Sequence, residues 1–179
     1  MSRLSMHVLT LADAERVQAY YLRNRRHLAA SSPRRDDDWF ALPACQLRIA
    51  QQLLDQAAGT AVHWLVCLAG QAEVIGHVSL TGILRGPFQA GYLGYGIDHA
   101  HCGQGLATEA LQRVAGHAFG EMNLHRLMAN HVPENQASAR VLAKLGFVTE
   151  GTARDYLRLD GVWRDHVLTA LSNPDWREA

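Results

Sequence analysis

The residues whose types and spacing could do chemistry lie in a glycine-containing loop near the middle of the chain. A strand-like run, Gly91 to Asp98, leads into this loop, whose residues are Cys102, Gly103, Gln104, Gly105, Leu106, Ala107 and Thr108. A helix with an apolar 3.6-residue period follows, and Gly120 is expected to close it. Glycines let a ligand approach the backbone, and the free N–H groups of the helix's first turn attract anions. The spacing therefore predicts a site for a phosphorylated ligand, each charge contact contributing about 0.3–1 kcal/mol.

Two common phosphate-binding loops do not fit this segment. A P-loop needs a lysine directly after its last glycine, whereas Leu106 follows Gly105. The Rossmann pattern needs a third small residue where Thr108 stands, and an acidic residue at the end of the next strand, which here ends in His131 and Val132. A plain strand–turn–helix junction that needs glycine only for its geometry stays open at this point.

The loop resembles the coenzyme A pyrophosphate loop of the GCN5-related N-acetyltransferases, whose pattern is Gln/Arg-x-x-Gly-x-Gly/Ala. Cys102 stands where that pattern has Gln or Arg, a position thought to act mainly through its backbone N–H. Downstream, Asn135, Ser138 and the segment Lys144 to Phe147 are similar to the family's N-x-x-S…K-L-G-F motif. The segment from Asp155 to Trp176 is similar to the RimJ/RimL branch of the family. The resemblance covers nearly the whole chain.

The resemblance implies an α/β fold with a mixed, mostly antiparallel central sheet, about four flanking helices, and a fourth and a fifth strand that splay apart. A single domain over residues 1–179 is expected, because 179 residues with 48% hydrophobic content suffice for one core. Trp39 and Phe40 are expected to anchor in that core. They follow a polar loop over residues 31–38, which is either a solvated linker or a mobile flap near the acceptor site.

The resemblance also implies acetyl-coenzyme A as the acetyl donor. The residues that it assigns to the coenzyme are Tyr95, Gly96, Ile97, Cys102, Gly103, Gln104, Gly105, Leu106, Ala107, Thr108, Asn135 and Ser138. The strand at 95–97 would pair with the pantetheine arm through its main chain. A backbone N–H of Gly96 or Ile97 would then point at the thioester carbonyl oxygen.

Ser138 and Asp155 are the candidate catalytic residues. Many family members stabilise the leaving thiolate with a hydrogen bond from a tyrosine, where this chain has Leu142. Ser138 would donate that hydrogen bond here. The alternative is that Ser138 only helps to satisfy the free N–H groups at the helix terminus. Asp155 would act as a mild general base, or it is a surface charge paired with a basic residue such as Arg154. His131 and Glu134 are the next candidates for the base. A strong base is not required, because an α-amine with a pKa near 7.7–8.0 is roughly a tenth neutral at pH 7.

Composition limits the other functions. Seventeen basic and seventeen acidic residues leave no net charge, which argues against a surface built for nucleic acid. Three widely spaced cysteines, with no apolar run of signal-peptide or membrane-spanning length, predict a cytoplasmic protein without disulfides. His99, His101 and Cys102 could ligate zinc, but no second cluster accompanies them, so no metal is expected.

The resemblance implies that the acceptor is the N-terminal α-amine, with alanine as the first residue, of a small-subunit ribosomal protein. Association with the ribosome is conceivable, and the chain is expected to be a monomer or a homodimer. Two alternatives stay open. One is acetylation of a small-molecule amine such as an antibiotic or a polyamine. The other is a ribosome-assembly or regulatory protein that keeps the fold and acts by binding.

Overall fold

Seven strands form one mixed β-sheet in a computed structural model that describes residues 2–29 and 31–178. The strands are β1 (Leu4–Val8), β2 (Val62–Leu68), β3 (Val74–Leu84), β4 (Ala90–Ile97), β5 (Arg126–Met128), β6 (Val148–Leu159) and β7 (Val162–Ser172). The five α-helices of these residues are α1 (Ala14–Arg23), α2 (Arg25–Ala29), α3 (Leu42–Ala57), α4 (Leu106–Gly120) and α5 (Gln136–Lys144).

The strand order is β1-β2-β3-β4-β5-β7-β6. β4 and β5 are parallel, with α4 as the crossover between them, and the other neighbouring strands are antiparallel. The predicted mixed, mostly antiparallel sheet is therefore confirmed, with five helices beside it rather than about four. No helix in the described ranges is long and apolar enough to cross a membrane.

The two larger parts of the core lie on opposite faces of the sheet, and a small third cluster joins β4, β5 and β7. Leu111 of α4 and Leu142 of α5 are buried against one face, together with Val78 of β3. Tyr20 of α1 and Ile49 of α3 are buried against the other face. Because successive strand residues point to opposite faces, neighbouring residues of β3 and β4 serve different halves of the molecule.

β4 and β5 separate after three paired residues. Their register ends at Tyr92 and Met128. Beyond that point the chain after β5 bonds to β7 instead, with the Ala129 N–H donating to the Thr169 carbonyl at 3.0 Å. Residues 93–97 of β4 thus border an open cleft on one edge. This confirms the predicted splay of the fourth and fifth strands.

The two ends of α4 depend on glycine in different ways. Gly105 precedes the helix with φ of 78°, a left-handed conformation that favours glycine. Gly120 is the last residue of the helix and does not have a positive φ. The expectation that Gly120 would close the helix as a left-handed cap is wrong. The Leu124 N–H, which donates to the Ala118 carbonyl at 2.9 Å, helps to end this helix instead.

Candidate active site

Residues 102–105 are exposed, and the buried Leu106 begins the helix behind them. Gly103 and Gly105 have φ of 75° and 78°, and a Cβ added at Gly103 would meet no atom within 4 Å. A Cβ at Gly105 would lie 3.6 Å from Nη2 of Arg3. No side chain caps the N-terminus of α4, so the N–H groups of its first turn stay available to a ligand. This open, glycine-shaped cradle fits a diphosphate.

An ionised carboxylate anchors the entrance of this loop. Oδ2 of Asp98 accepts hydrogen bonds from Nε of Arg23 at 2.6 Å and from Nδ2 of Asn24 at 2.9 Å. Its Oδ1 accepts from the Ala100 N–H, and Oδ1 of Asn24 accepts from the His99 N–H, both at 2.9 Å. Burial raises the pKa of Asp98, but the hydrogen bonds from Asn24 and Arg23 outweigh it and lower the pKa to about 2. The loop is thereby fixed to the end of α1.

Arg3 is a cation beside the loop that sequence reasoning missed. Its Nη1 donates to the Gln104 carbonyl at 2.9 Å, and its Nε lies 3.1 Å from a carboxylate oxygen of Glu109. The side chain of Arg3 is 56% exposed, so this ion pair contributes little to stability by itself. Arg3 and Gln104 are 101 residues apart in sequence, and no local pattern joins them.

The main chain of β4 divides its groups between β3 and the cleft. The Asp98 N–H donates to the Ile75 carbonyl at 2.7 Å, and Gly96 lies opposite His77 in the same antiparallel ladder. Because hydrogen-bonded pairs alternate in such a ladder, Gly96 also bonds to β3, whereas the main-chain groups of Tyr95 and Ile97 face the cleft. Of the two predicted oxyanion donors, the register therefore favours Ile97.

Ser138 and Tyr95 meet across the cleft. The hydroxyl oxygens of the two side chains are 2.7 Å apart. Oδ1 of Asn135 accepts the Ser138 N–H at 3.0 Å, so Asn135 caps α5 and the Ser138 hydroxyl is left for another role. Burial raises the pKa of Tyr95, which keeps its phenol protonated. The side chain of Tyr95 was missed, because its sequence position suggested only a main-chain role.

Asp155 lies away from this pair, in a bulge of β6. The residue is exposed and has φ of 48°. The register of β6 and β7 shifts between Ala153 and Leu157, and the Asp155 N–H donates to Oδ1 of Asp165 at 2.9 Å. Among the described residues, no hydrogen bond joins Asp155 to Ser138. Any proton transfer between the cleft and Asp155 would therefore run through water.

The two reserve candidates for a base differ in their surroundings. His131 is buried, and its Nδ1 lies 2.9 Å from the Val132 carbonyl. A carbonyl can only accept, so Nδ1 donates this hydrogen bond. Glu134 is 68% exposed at its side chain and forms an ion pair with Arg164 at 3.0 Å. His131 is thus the better placed of the two for a role inside the protein.

The segment considered for metal binding packs one of its histidines, His99, against a histidine of α2, His27. The rings of His27 and His99 have centroids 5.1 Å apart, and Sγ of Cys102 lies 3.6 Å from Nε2 of His27. Burial raises the pKa of the Cys102 thiol. In the part of the chain that the structure describes, no group of three or more His, Cys, Asp or Glu side chains could hold a metal ion.

On the sheet face that packs against α1 and α3, β2 and β3 border a cavity of about 170 Å³ that sequence reasoning also missed. Its walls include Tyr20, Tyr21, Arg35, Trp39, Arg48 and His77. A Cβ added at Gly96 would lie 2.8 Å from Cε1 of His77 and 3.0 Å from the Tyr20 hydroxyl, so the absent side chain makes room there. Phe40 is buried as predicted, whereas the prediction for Trp39 is wrong, because its ring is partly exposed on the cavity wall.

The fold, the glycine loop and the splayed strands together define an acetyltransferase. Residues 3–148 match the family model described as Acetyltransferase (GNAT) domain, and the chain belongs to that family. GNAT acetyltransferases use acetyl-coenzyme A, and the open cradle at 103–108 fits its diphosphate.

The similarity extends to one branch of the family. The chain is 39% identical over 174 residues to the ribosomal protein uS5-alanine N-acetyltransferase of Escherichia coli (strain K12), covering 97% of this chain and 90% of that protein. The ribosomal-protein-S5-alanine acetyltransferase of Vibrio fischeri is 36% identical with a TM-score of 0.94, over 99% of this chain and 97% of that one. Mycobacterium smegmatis RimJ, solved with coenzyme A disulfide, is 27% identical with a TM-score of 0.91, over 98% of this chain and 85% of that one. The predicted family and branch are confirmed.

Proposed function

We propose that this chain transfers the acetyl group of acetyl-coenzyme A to the N-terminal α-amine of a ribosomal protein that begins with alanine. The observation that carries the proposal is the 39% identity to a uS5-alanine N-acetyltransferase across 97% of the chain. That span includes both walls of the cleft, the α1–α3 region and the β6–β7 hairpin. The two alternatives, a small-molecule acceptor and a purely binding role, have no comparable support.

Acetyl-coenzyme A supplies an activated thioester, and the chain's own residues hold it. We assign the diphosphate to the main chain of residues 103–108 and the first turn of α4, with Arg3 nearby as a cation. Tyr95 and Ile97 offer cleft-facing main-chain groups to the extended part of the coenzyme. Cys102 leaves this binding mode intact, because the cradle is made of backbone.

Ser138 is the proposed donor to the leaving sulfur. In this assignment the protonated Tyr95 phenol donates to Oγ of Ser138, which leaves the serine proton free for the developing thiolate. A thiol with a pKa near 8.5 is a fair leaving group, and one hydrogen bond to its anion contributes about 1.5–3 kcal/mol. The Ile97 N–H faces the same cleft and would stabilise the oxyanion.

Asp155 is retained as a base that acts through solvent. Since an α-amine is partly neutral at pH 7, an exposed carboxylate reached through water contributes modestly. We expect Asp155→Asn to lower kcat less than about tenfold at pH 7, against 10²–10⁴-fold for a directly placed base. A steady-state assay of the purified variant measures this. A loss of a hundredfold or more would show direct contact with the amine, and an unchanged kcat would remove Asp155 from the mechanism.

The acceptor is tested by a matched panel of amines. The purified protein and acetyl-coenzyme A are mixed with an alanine-starting peptide, the same peptide blocked at its N-terminus but carrying an internal lysine, and spermidine. Mass spectrometry should find the acetyl group on the free α-amine alone. Faster turnover of spermidine would support the small-molecule alternative. Coenzyme binding without turnover of any amine would support the binding role.

We propose further that any contact with the ribosome runs through protein, with the chain working as a monomer or a homodimer in the cytoplasm. The equal numbers of basic and acidic residues support this, because they give the chain no net attraction to nucleic acid. A salt titration of ribosome binding would show a shallow slope. A steep slope would indicate direct phosphate contacts.

A further inference from the structure

The cavity between the sheet and helices α1 and α3 is lined by two residues that each carry a buried polar atom with no hydrogen-bond partner among the described residues. These atoms are the hydroxyl oxygen of Tyr20, a residue 1% exposed, and Nδ1 of His77. Burial raises the pKa of Tyr20 and lowers that of His77 to about 4, so both groups are neutral at pH 7. Burying these atoms without a partner is unfavourable, which favours a ligand that reaches them.

Two guanidinium groups give the same cavity a positive charge. The guanidinium carbons of Arg35 and Arg48 lie 3.7 and 3.6 Å from the ring centre of Trp39. Arg48 also donates to the Trp39 carbonyl at 2.7 Å, and burial lowers the pKa of both arginines. Asp36, the neighbour of Arg35 in sequence, accepts the Trp39 N–H instead of pairing with it.

No carboxylate balances this charge from the cavity wall. Within the described ranges, the lining residues include no Asp or Glu, and Arg35 forms no ion pair. A partly buried cation without a counter-ion favours an anionic ligand. The volume of about 170 Å³ is below the 300–1,000 Å³ usual for whole small-molecule ligands, so it suits one side chain.

The length of peptide needed to reach from Gly96 to the arginines decides which acceptor residue can supply such a side chain. Ring contacts lead from His77 to Tyr21 at 5.8 Å and on to Trp39 at 5.0 Å, with Arg48 a further 3.6 Å away. A path of successive contacts is at least as long as the straight distance between its ends. Since an extended peptide advances about 3.3–3.6 Å per residue, at most about four residues are needed to cover it. Tyr20 and His77 lie at its start, against the strand that borders the cleft.

We propose that this cavity is a specificity site that takes an acidic side chain from the second, third or fourth residue of the acceptor. Its carboxylate binds Arg35 and Arg48, and the peptide enters past Tyr20 and His77 at Gly96. The inference rests on the proposed function, because it assumes a peptide acceptor. The same two cations disfavour polyamines and peptides with early lysines.

Peptide charge and arginine variants test this site together. Alanine-starting peptides carry Glu, Gln or Lys at the second, third or fourth position, and kcat/KM is measured for each. At the position that reaches the cavity, we expect Glu to exceed Gln by about tenfold, the effect of one charged hydrogen bond. Arg35→Gln should abolish this preference, and Arg35→Glu should turn it toward Lys. The matched control, Arg34→Gln, changes an exposed neighbouring arginine and should keep the preference for Glu.

Each other outcome has one meaning. Equal kcat/KM for Glu, Gln and Lys at every position, or equal losses in the Arg34 and Arg35 variants, would overturn the specificity site while leaving N-terminal acetylation intact. Acetylation of no peptide at all would overturn the proposed function itself. Calorimetry with coenzyme A and a thermal melt accompany each variant. A loss of coenzyme affinity in Arg35→Gln would show a merely structural role and would also overturn the inference.

Discussion

The coenzyme cleft and the cavity beside α1 and α3 are built from different kinds of groups. Toward α4 and α5 the cleft offers main chain: the loop at 103–108, an uncapped helix terminus and the cleft-facing groups of Tyr95 and Ile97. Toward α1 and α3 the cavity offers side chains, several of them aromatic or cationic. A ligand shared by a whole family can be held by backbone, which most substitutions leave in place. A ligand that differs between members needs side chains, which single substitutions can change.

Gly105→Glu should have the largest effect and tests the main-chain side. The position has φ of 78°, and the added carboxylate would lie at the proposed diphosphate site. We expect the Kd for coenzyme A, measured by calorimetry, to rise more than about a hundredfold. Gly116→Glu is the matched control in the same helix, because a Cβ there meets no atom within 4 Å. An unchanged Kd for Gly105→Glu would move the coenzyme elsewhere.

Gly96→Ala tests the cavity, because Gly96 packs against His77 and Tyr20 of its wall. The new methyl group would press on His77 at 2.8 Å and on Tyr20 at 3.0 Å, an overpacking that costs about 1–3 kcal/mol. We expect kcat/KM for the peptide to fall about thirtyfold, with coenzyme affinity within about twofold of wild type. Gly94→Ala, whose methyl group meets only the Ser79 hydroxyl, at 2.9 Å, should lose much less. A parallel loss of coenzyme affinity would show that the cleft and the cavity do not act independently.

Ser138→Ala and Tyr95→Phe test the hydroxyl pair. Each removes one member of the 2.7 Å contact, and we expect kcat to fall about tenfold with KM nearly unchanged. Initial rates from thiol release give both constants. A kcat within about twofold of wild type for Ser138→Ala would end its role toward the thiolate. Full activity of Tyr95→Phe would show that the Ser138 hydroxyl donates to the thiolate without help from the tyrosine.

The smallest expected effect concerns stability at low pH. His77 is buried and neutral, and its pKa of about 4 lies below the 6.5 of an unfolded histidine. The unfolded state therefore binds the proton more tightly, so the stability present above pH 6.5 is lost as the pH falls toward 4. Urea unfolding at pH 7 and 5 should show that wild type loses more free energy of unfolding than His77→Leu. His99→Asn changes an exposed histidine and should lose as much free energy of unfolding as wild type. Identical losses in wild type, His77→Leu and His99→Asn would contradict the role of His77.

Local sequence pattern was enough to predict the glycine loop, the helix after it and the α5 motif, because each depends on residues a few positions apart. The prediction that the fourth and fifth strands splay apart came from the family resemblance. The Tyr95–Ser138 contact joins residues 43 apart, and the Arg3–Gln104 contact joins residues 101 apart, so no local signal carried them. Trp39 was misjudged because an aromatic residue after a polar loop is typical of a core anchor. Arg35 and Arg48 lie near Trp39 in sequence, but only the fold shows that both guanidinium groups pack over its ring.

The carboxylate of Asp98 couples the two substrate walls of this protein mechanically. It holds the start of the coenzyme loop with one oxygen, and Arg23 and Asn24 at the end of α1 with the other. A shift of that helix on acceptor binding is therefore transmitted to the loop, and a shift of the loop is transmitted back. Thermodynamic linkage then requires each substrate to alter the other's affinity by one common factor, whichever of them binds first.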